Sequence, residues 1–246
     1  NMIPVKQGIA TADNNRFLRY WYEVDYTNTF LNSNSEKEAR NSAFKWYPYN
    51  KGGAYRKWYG NNDYVINWEQ DGYELRNFKK AVLRNPDYYF KRSITWSLIS
   101  AGSIAFRYKP CGHIFDVAGM SGFPSNNMFE YILGLCNSSI VNDMMKFIAP
   151  TLNYQVGDIA KIPVIYNEEK KDVLKALVNK NIEISKDDWD MSELSWNFRK
   201  NHLILLDTNL LQDACNKLKT RIDEDRTLLK NNEEQINKIF IDIYKL

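Results

Sequence analysis

The run Phe44-Lys45-Trp46-Tyr47-Pro48-Tyr49-Asn50-Lys51-Gly52-Gly53-Ala54-Tyr55-Arg56-Lys57-Trp58-Tyr59-Gly60 decides the fold class. Phe44 to Tyr49 is dense in aromatic side chains that suit a pleated, half-buried surface, so it reads as a strand. Asn50-Lys51-Gly52-Gly53 is a turn signal, because glycine accepts backbone angles closed to other residues. Tyr55 to Tyr59 returns as a second strand or tight hairpin arm. From Arg40 to Gly60 there is no acid, while Arg40, Lys45, Lys51, Arg56 and Lys57 interleave with the aromatics. Such a stretch attracts phosphates and offers faces on which bases stack. The plainer reading is an aromatic loop whose cations face water.

Outward from this run, strands and helices are interspersed. Thr11 to Asn15 forms a polar turn leading into a short helix, and Asn32 to Glu38 reads as an exposed linker. Tyr64 to Trp68, Ile94 to Ser97, Ile104 to Tyr108 and His113 to Val117 read as strands, with a helix over residues 71–82 among them. Met128 to Leu135, capped by Ser125-Asn126-Asn127, and Ser139 to Ile148, stopped at Pro150, read as helices. Ile162 to Ile165 is strand-like. The pattern predicts an α+β fold, its mixed or antiparallel sheet built largely from residues 44–165 with helices around it.

The part after residue 167 differs in kind. Glu168 to Lys180 reads as a charged amphipathic helix, and Asp187-Asp188-Asp190 as an acid cluster at a helix start. In Leu210 to Tyr244, Cys215, Ile222, Leu229, Ile236 and Ile243 recur every seven residues, which predicts one long helix or a helical hairpin. Asp225 and Asn232 interrupt the companion seam, so the helix is expected to pack on its own chain or on a neighbouring domain and not to form a strong dimeric zipper. The chain divides on this reading into residues 1–167 and residues 168–246.

Charge follows the same division. Net charge is +3, but residues 1–167 carry 19 Lys and Arg against 14 acids, while residues 168–246 carry 14 against 16. The 44% hydrophobic and 14% aromatic content excludes general disorder. No run of ~18 apolar residues occurs and the start is no signal peptide, so a soluble cytoplasmic protein with no membrane partner is expected. Cys111, Cys136 and Cys215 lack the spacing of a zinc site or a disulfide framework. No G-x-G-x-x-G or P-loop spacing appears, and neither His113 nor His202 lies in a nucleophile motif.

The strings Lys6 to Phe17, Lys45 to Gly53, Arg56 to Asn61, Arg92 to Ser97, Ile132 to Leu135 and Pro150 to Ile159 together resemble the region that follows the catalytic domain in PglX-type adenine-specific DNA methyltransferases of BREX phage-defence systems. Related type II restriction–modification methylases carry a similar region. The element Leu152-Asn153-Tyr154-Gln155-Val156-Gly157-Asp158-Ile159 also resembles target-recognition domains more widely, including type I specificity subunits, where it leads into the closing strand. Asn85-Pro86-Asp87-Tyr88 looks like the N-P-P-Y loop that holds the target amino group, but Asp87 replaces the second proline and the segment reads as a turn.

The resemblance implies a target-recognition portion of an N6-adenine DNA methyltransferase, starting in mid-motif at Asn1-Met2. The S-adenosylmethionine site and catalytic loop would lie upstream in the parent, with no catalytic, cofactor or metal residue in this chain. Partners would be double-stranded DNA, the upstream methyltransferase domain and other defence-system subunits. Lys45, Lys51, Arg56 and Lys57 are then assigned to phosphates or guanine edges, and Asn14, Asn15, Asn50 and Asn61 to adenine edges. Lys6, Arg16, Tyr47 and Thr95 complete the DNA face, with Tyr47, Tyr49 and Trp58 open to an alternative role in the core. The competing function is a protein-interaction module, in which the acidic half and the long helix dock on the catalytic domain or another subunit.

Overall fold

The computed structural model describes residues 2–100, 102–151 and 153–246; Asn1, and Leu152 of the shared element, lie outside them. The fold is α+β, with two four-stranded sheets and eight α-helices among the described residues. In the first sheet β1 (Val5–Lys6), β8 (Ser121–Gly122), β5 (Ser93–Thr95) and β6 (Arg107–Lys109) lie side by side, every pair antiparallel. The second runs β2 (Leu18–Tyr20), β4 (Tyr64–Asn67), β3 (Trp46–Asn50) and β7 (Ile114–Phe115). It is mixed, because β7 joins β3 in parallel through Tyr49↔Ile114 and Asn50↔Phe115.

The strand expected over Tyr55 to Tyr59 is not formed. Trp58 takes a left-handed backbone at φ 67° and Gly60 sits at φ 124°, angles that break a ladder, and only Trp58 bridges to Arg107. Ile162 to Ile165 is likewise outside any strand, so no closing strand follows the shared element; Val156–Ile159 is instead a one-turn helix, α6. The short helix α1 (Asn14–Phe17) forms where expected, with Asp13 accepting from the Arg16 amide. The expected linker at Asn32 contains the cap of α2 (Glu36–Asn41), where Ser35 accepts from the Glu38 amide. Helix α3 (Glu69–Arg76) is shorter than the 71–82 reading and begins earlier.

Helices α4 (Phe129–Cys136) and α5 (Ser139–Ile148) follow, and no side chain caps the first of them. Ser125 donates to Asn127 instead. Helix α7 runs from Glu168 to Asp190, so Asp187, Asp188 and Asp190 stand at its end and not at a helix start. Helix α8 is one continuous 34-residue helix, Leu211–Tyr244. The two pack antiparallel: Asp187 meets Arg221, Asn181 meets Asn232, and the Ile165 amide meets the Tyr244 hydroxyl.

One apolar cluster joins the first sheet to the helices, since Ile94, Trp96 and Phe106 share it with Leu174 and Val178 of α7 and Ile236 and Phe240 of α8. It therefore spans both sides of residue 167. A second cluster, around Phe17, Tyr47, Tyr49, Ile66, Phe90 and Phe115, fills the second sheet. No helix among the described residues is long and apolar enough to cross a membrane.

Candidate nucleic-acid interface

The loop from Lys51 to Asn61 leaves the second sheet at Asn50 and returns to it at β4. Its cations have different fates. Lys57 Nζ lies 2.9 Å from Glu233 Oε2 on α8, with both side chains about three-quarters buried. The indole N–H of Trp58 donates to the other oxygen of the same carboxylate at 2.7 Å. Arg56 pairs with Asp188 of α7 at 3.1 Å, and its guanidinium lies 5.0 Å from the Trp189 ring. Both positive charges are thus compensated by the helical hairpin. A groove of about 490 Å³ remains between this loop and the hairpin, lined by Tyr55, Lys57, Ile184, Ile222 and Leu229.

Several of the residues expected on a DNA face are interior. Tyr47, Asn50, Asn61 and Thr95 are at most 5% exposed. The hydroxyl of Tyr47 donates to the Ser42 carbonyl at 3.0 Å. Asn50 donates to the Gly119 carbonyl at 2.7 Å and to the Thr95 hydroxyl, while Thr95 donates to the Met120 carbonyl at 2.8 Å. Asn50 belongs to one sheet and Thr95 to the other, so this pair stitches the two together. Asn61 donates to the Ala54 carbonyl at 2.9 Å and closes its own loop. These side chains hold the scaffold, and exposing them to a ligand requires dismantling buried hydrogen bonds. Tyr49 and Trp58 are core residues as well.

The other named residues lie nearer the surface. Arg16 pairs with Glu74 at 2.7 Å, and Lys45 with Glu69 at 3.5 Å. Asn14 accepts from the Thr11 hydroxyl at 2.6 Å, and the exposed Asn15 side chain forms no hydrogen bond among the described residues. Two lysines differ from the rest because they form no ion pair among the described residues. Lys51 sits 5.1 Å from the Tyr64 ring, and Lys6 sits 5.0 Å from the ring of Tyr88. Lys91, likewise without a carboxylate partner, approaches that same Tyr88 ring at 5.2 Å. Tyr88 belongs to the Asn85–Tyr88 string, which is a one-turn 3₁₀ segment anchored by Asn85 donating to the Gln7 carbonyl at 2.9 Å.

Lys51 ends a surface column that the sequence reading missed. Tyr64 stands opposite Tyr20 in the antiparallel register, their rings stacked at 4.7 Å, and Tyr22 stacks on Tyr20 at 5.3 Å with planes 2° apart. Tyr20 and Tyr22 are 38% and 54% exposed. A flat aromatic column ending in an ammonium that forms no ion pair among the described residues, though it feels the charge of Asp116, suits a sugar–phosphate backbone or an unstacked base. Two acids border it: Glu23, which accepts from the Tyr20 amide at 2.8 Å, and Asp63. Asp63 has a raised pKa, principally through burial.

No family model matches this chain. The adenine-specific methyltransferase PglX of Lacticaseibacillus casei (strain Zhang) is 33% identical over 262 aligned residues, covering 100% of this chain and 21% of its own length. The adenine-specific methyltransferase BrxX of Escherichia coli O9:H4 (strain HS) is 41% identical over 230 residues, covering 92% of this chain and 18% of its own. The chain therefore spans about a fifth of the relatives it matches, and identity at this level over essentially its whole length makes it a segment of a PglX-like protein.

Proposed function

We propose that this segment recognises duplex DNA on behalf of an adenine-specific DNA methyltransferase of a phage-defence or restriction–modification system. Methyl transfer and its S-adenosylmethionine belong, on this reading, to other parts of the parent protein. The observation that carries the proposal is the match over 100% and 92% of the chain to two proteins named adenine-specific methyltransferases, of which it covers 21% and 18%. A methyltransferase must extrude its adenine from the stack, at a cost of a few kcal/mol. Phosphate contacts that fix position and base-edge contacts that fix sequence are needed while it does so.

The surface supports a narrower set of contacts than the sequence alone. Lys51, Lys6 and Lys91 are the phosphate candidates, since none of them forms an ion pair among the described residues. Tyr20 and Tyr22 offer stacking faces, and Asn15 a free amide for an adenine edge. The test is binding of the full-length protein to duplexes with and without its methylation site, and to single strands, with Lys51→Ala and Tyr22→Ala variants. Loss of affinity for every duplex in Lys51→Ala supports the reading. Undiminished binding in both variants, with undiminished site preference, rejects this face.

A second reading is favoured by one observation. Ile204, Leu205, Leu210 and Leu211, just before and at the start of α8, are 59–75% exposed. Contiguous apolar side chains at a helix entry suit docking on another part of the parent protein or on another subunit of the defence system. Crosslinking at Leu211 that reports only solvent would exclude it.

A further inference from the structure

Buried cations in this fold are satisfied in two contrasting ways. Lys109 is 1% exposed and spends all three N–H groups on protein acceptors: the Gly60 and Asn61 carbonyls, at 2.9 and 3.0 Å, and the Asn62 side chain. Arg107, two residues earlier on β6, is equally buried but is not satisfied. Of its five N–H donors, one reaches the Arg56 carbonyl at 3.3 Å and one the Ser97 hydroxyl at 3.1 Å. Among the described residues its Nε has no partner and it forms no ion pair with a carboxylate. A guanidinium removed from water without an anion carries an unrepaid desolvation cost. Burial, with the nearby positive charge of Arg56 second, lowers its pKa to about 10, so it stays charged at neutral pH.

Arg107 lines a cavity of about 430 Å³ that opens beside the Gly52-Gly53 turn, together with Gly53, Ala54, Tyr55, Ser97 and Ala105. That volume falls within the ~300–1,000 Å³ range of small-ligand sites. The backbone N–H groups of Gly53, Ala54 and Tyr55 form no hydrogen bond among the described residues. Consecutive free amides next to a forked cation are the donor set that holds tetrahedral oxyanions elsewhere in proteins.

We propose that this cavity binds a phosphate group, held by the remaining terminal N–H groups of the Arg107 guanidinium and the amides of residues 53–55, with Ser97 orienting the guanidinium. Two sources present that chemistry, a backbone phosphate of bound DNA and a free phosphorylated compound. The site does not depend on the DNA-recognition reading, since either source would fill it.

The probe is inorganic phosphate, added to the full-length protein at constant ionic strength and observed by phosphorus NMR line broadening. Broadening that excess sulfate reverses, and that is at least tenfold weaker in Arg107→Gln, is the expected result. Ser97→Ala, which frees the guanidinium without removing its charge, should weaken phosphate several-fold and decides the matter if Arg107→Gln does not fold. A duplex that displaces phosphate identifies the source as nucleic acid, while phosphate retained beside bound duplex identifies a free compound; both support the site. No broadening in the wild type, or equal broadening in wild type and Ser97→Ala, overturns it. DNA binding that persists while phosphate binding fails removes this site alone and leaves the recognition reading standing.

Discussion

Replacing Glu233 by alanine removes the acceptor that Lys57 and Trp58 share, and its cost can be worked from their surroundings. Trp58 is 1% exposed, so its indole N–H loses its protein acceptor once the carboxylate is gone. An orphaned buried donor costs ~1–3 kcal/mol. The Lys57–Glu233 pair retains 22% and 27% side-chain exposure, so solvent screens it, and it contributes only ~0.5–1 kcal/mol. Glu233→Ala should therefore destabilise by about 2–3 kcal/mol. Lys57→Ala should cost less than ~1 kcal/mol, because Trp58 keeps its acceptor. Glu233→Gln should fall close to Lys57→Ala, since an amide oxygen still accepts from the indole. Urea unfolding followed by far-ultraviolet circular dichroism reads all three. If Glu233→Ala and Lys57→Ala unfold at the same urea concentration, the indole hydrogen bond contributes nothing and the reasoning fails.

Further expectations concern the electrostatics and the tightest contacts. Lys51→Ala should reduce the slope of log DNA affinity against log salt by ~0.9, whereas Lys57→Ala and Arg56→Ala should leave the slope nearly unchanged because α8 and α7 already neutralise them; equal slopes in all three variants would contradict that division. Burial, with Lys109 second, pushes the His113 pKa down from 6.5 to about 3, so the unfolded chain takes up the proton first. The stability conferred by neutral His113 is complete above pH 6.5 and declines by up to ~1.4 kcal/mol per pH unit as the pH falls toward 3. Burial raises Asp63 and Asp116 in the opposite sense, so the decisive quantity is the difference in unfolding midpoint between wild type and His113→Phe at pH 7, 6 and 5, which should change with pH. A Cβ at Gly119 would stand 2.2 Å from the Asn50 carbonyl oxygen, so Gly119→Ala should destabilise by roughly 3 kcal/mol or yield insoluble protein, and wild-type thermal stability would show that this backbone can yield.

Long strands and helices were legible in the sequence because their signals are local. Trp46–Asn50 and Tyr64–Asn67 announce themselves by aromatic and β-branched side chains, and α8 by its seven-residue recurrence. Strands of two residues, such as Val5–Lys6 and Ser121–Gly122, carry no period at all and exist only through partners distant in sequence, the first on the second and the second also on Ser93–Thr95. Trp58 was misread for a related reason: a β-forming residue in sequence, it is held in a left-handed turn by burial and by α8, a contact 175 positions away. The same distance hid the fate of the cations. Lys57 looked free because its acid partner lies 176 residues onward, and Arg56 because its own lies 132 onward. The tyrosine column escaped notice because Tyr20 and Tyr64 meet through strand register, which no single stretch of sequence encodes.

The double hold on Glu233 makes α8 a lever whose fulcrum lies far from its end. Helix α8 begins at Leu211, 22 residues before Glu233, a separation of ~33 Å at 1.5 Å per residue. A rotation of only ~5° about the fulcrum would swing the Leu211 end by roughly 3 Å, given a stiff helix. Because Arg221 meets Asp187 and Ala214 is buried, α8 turns together with α7, and a displacement of the Arg56–Trp58 loop is carried along the hairpin as one stiff unit to the exposed leucines, where a probe fixed at Leu211 would register it.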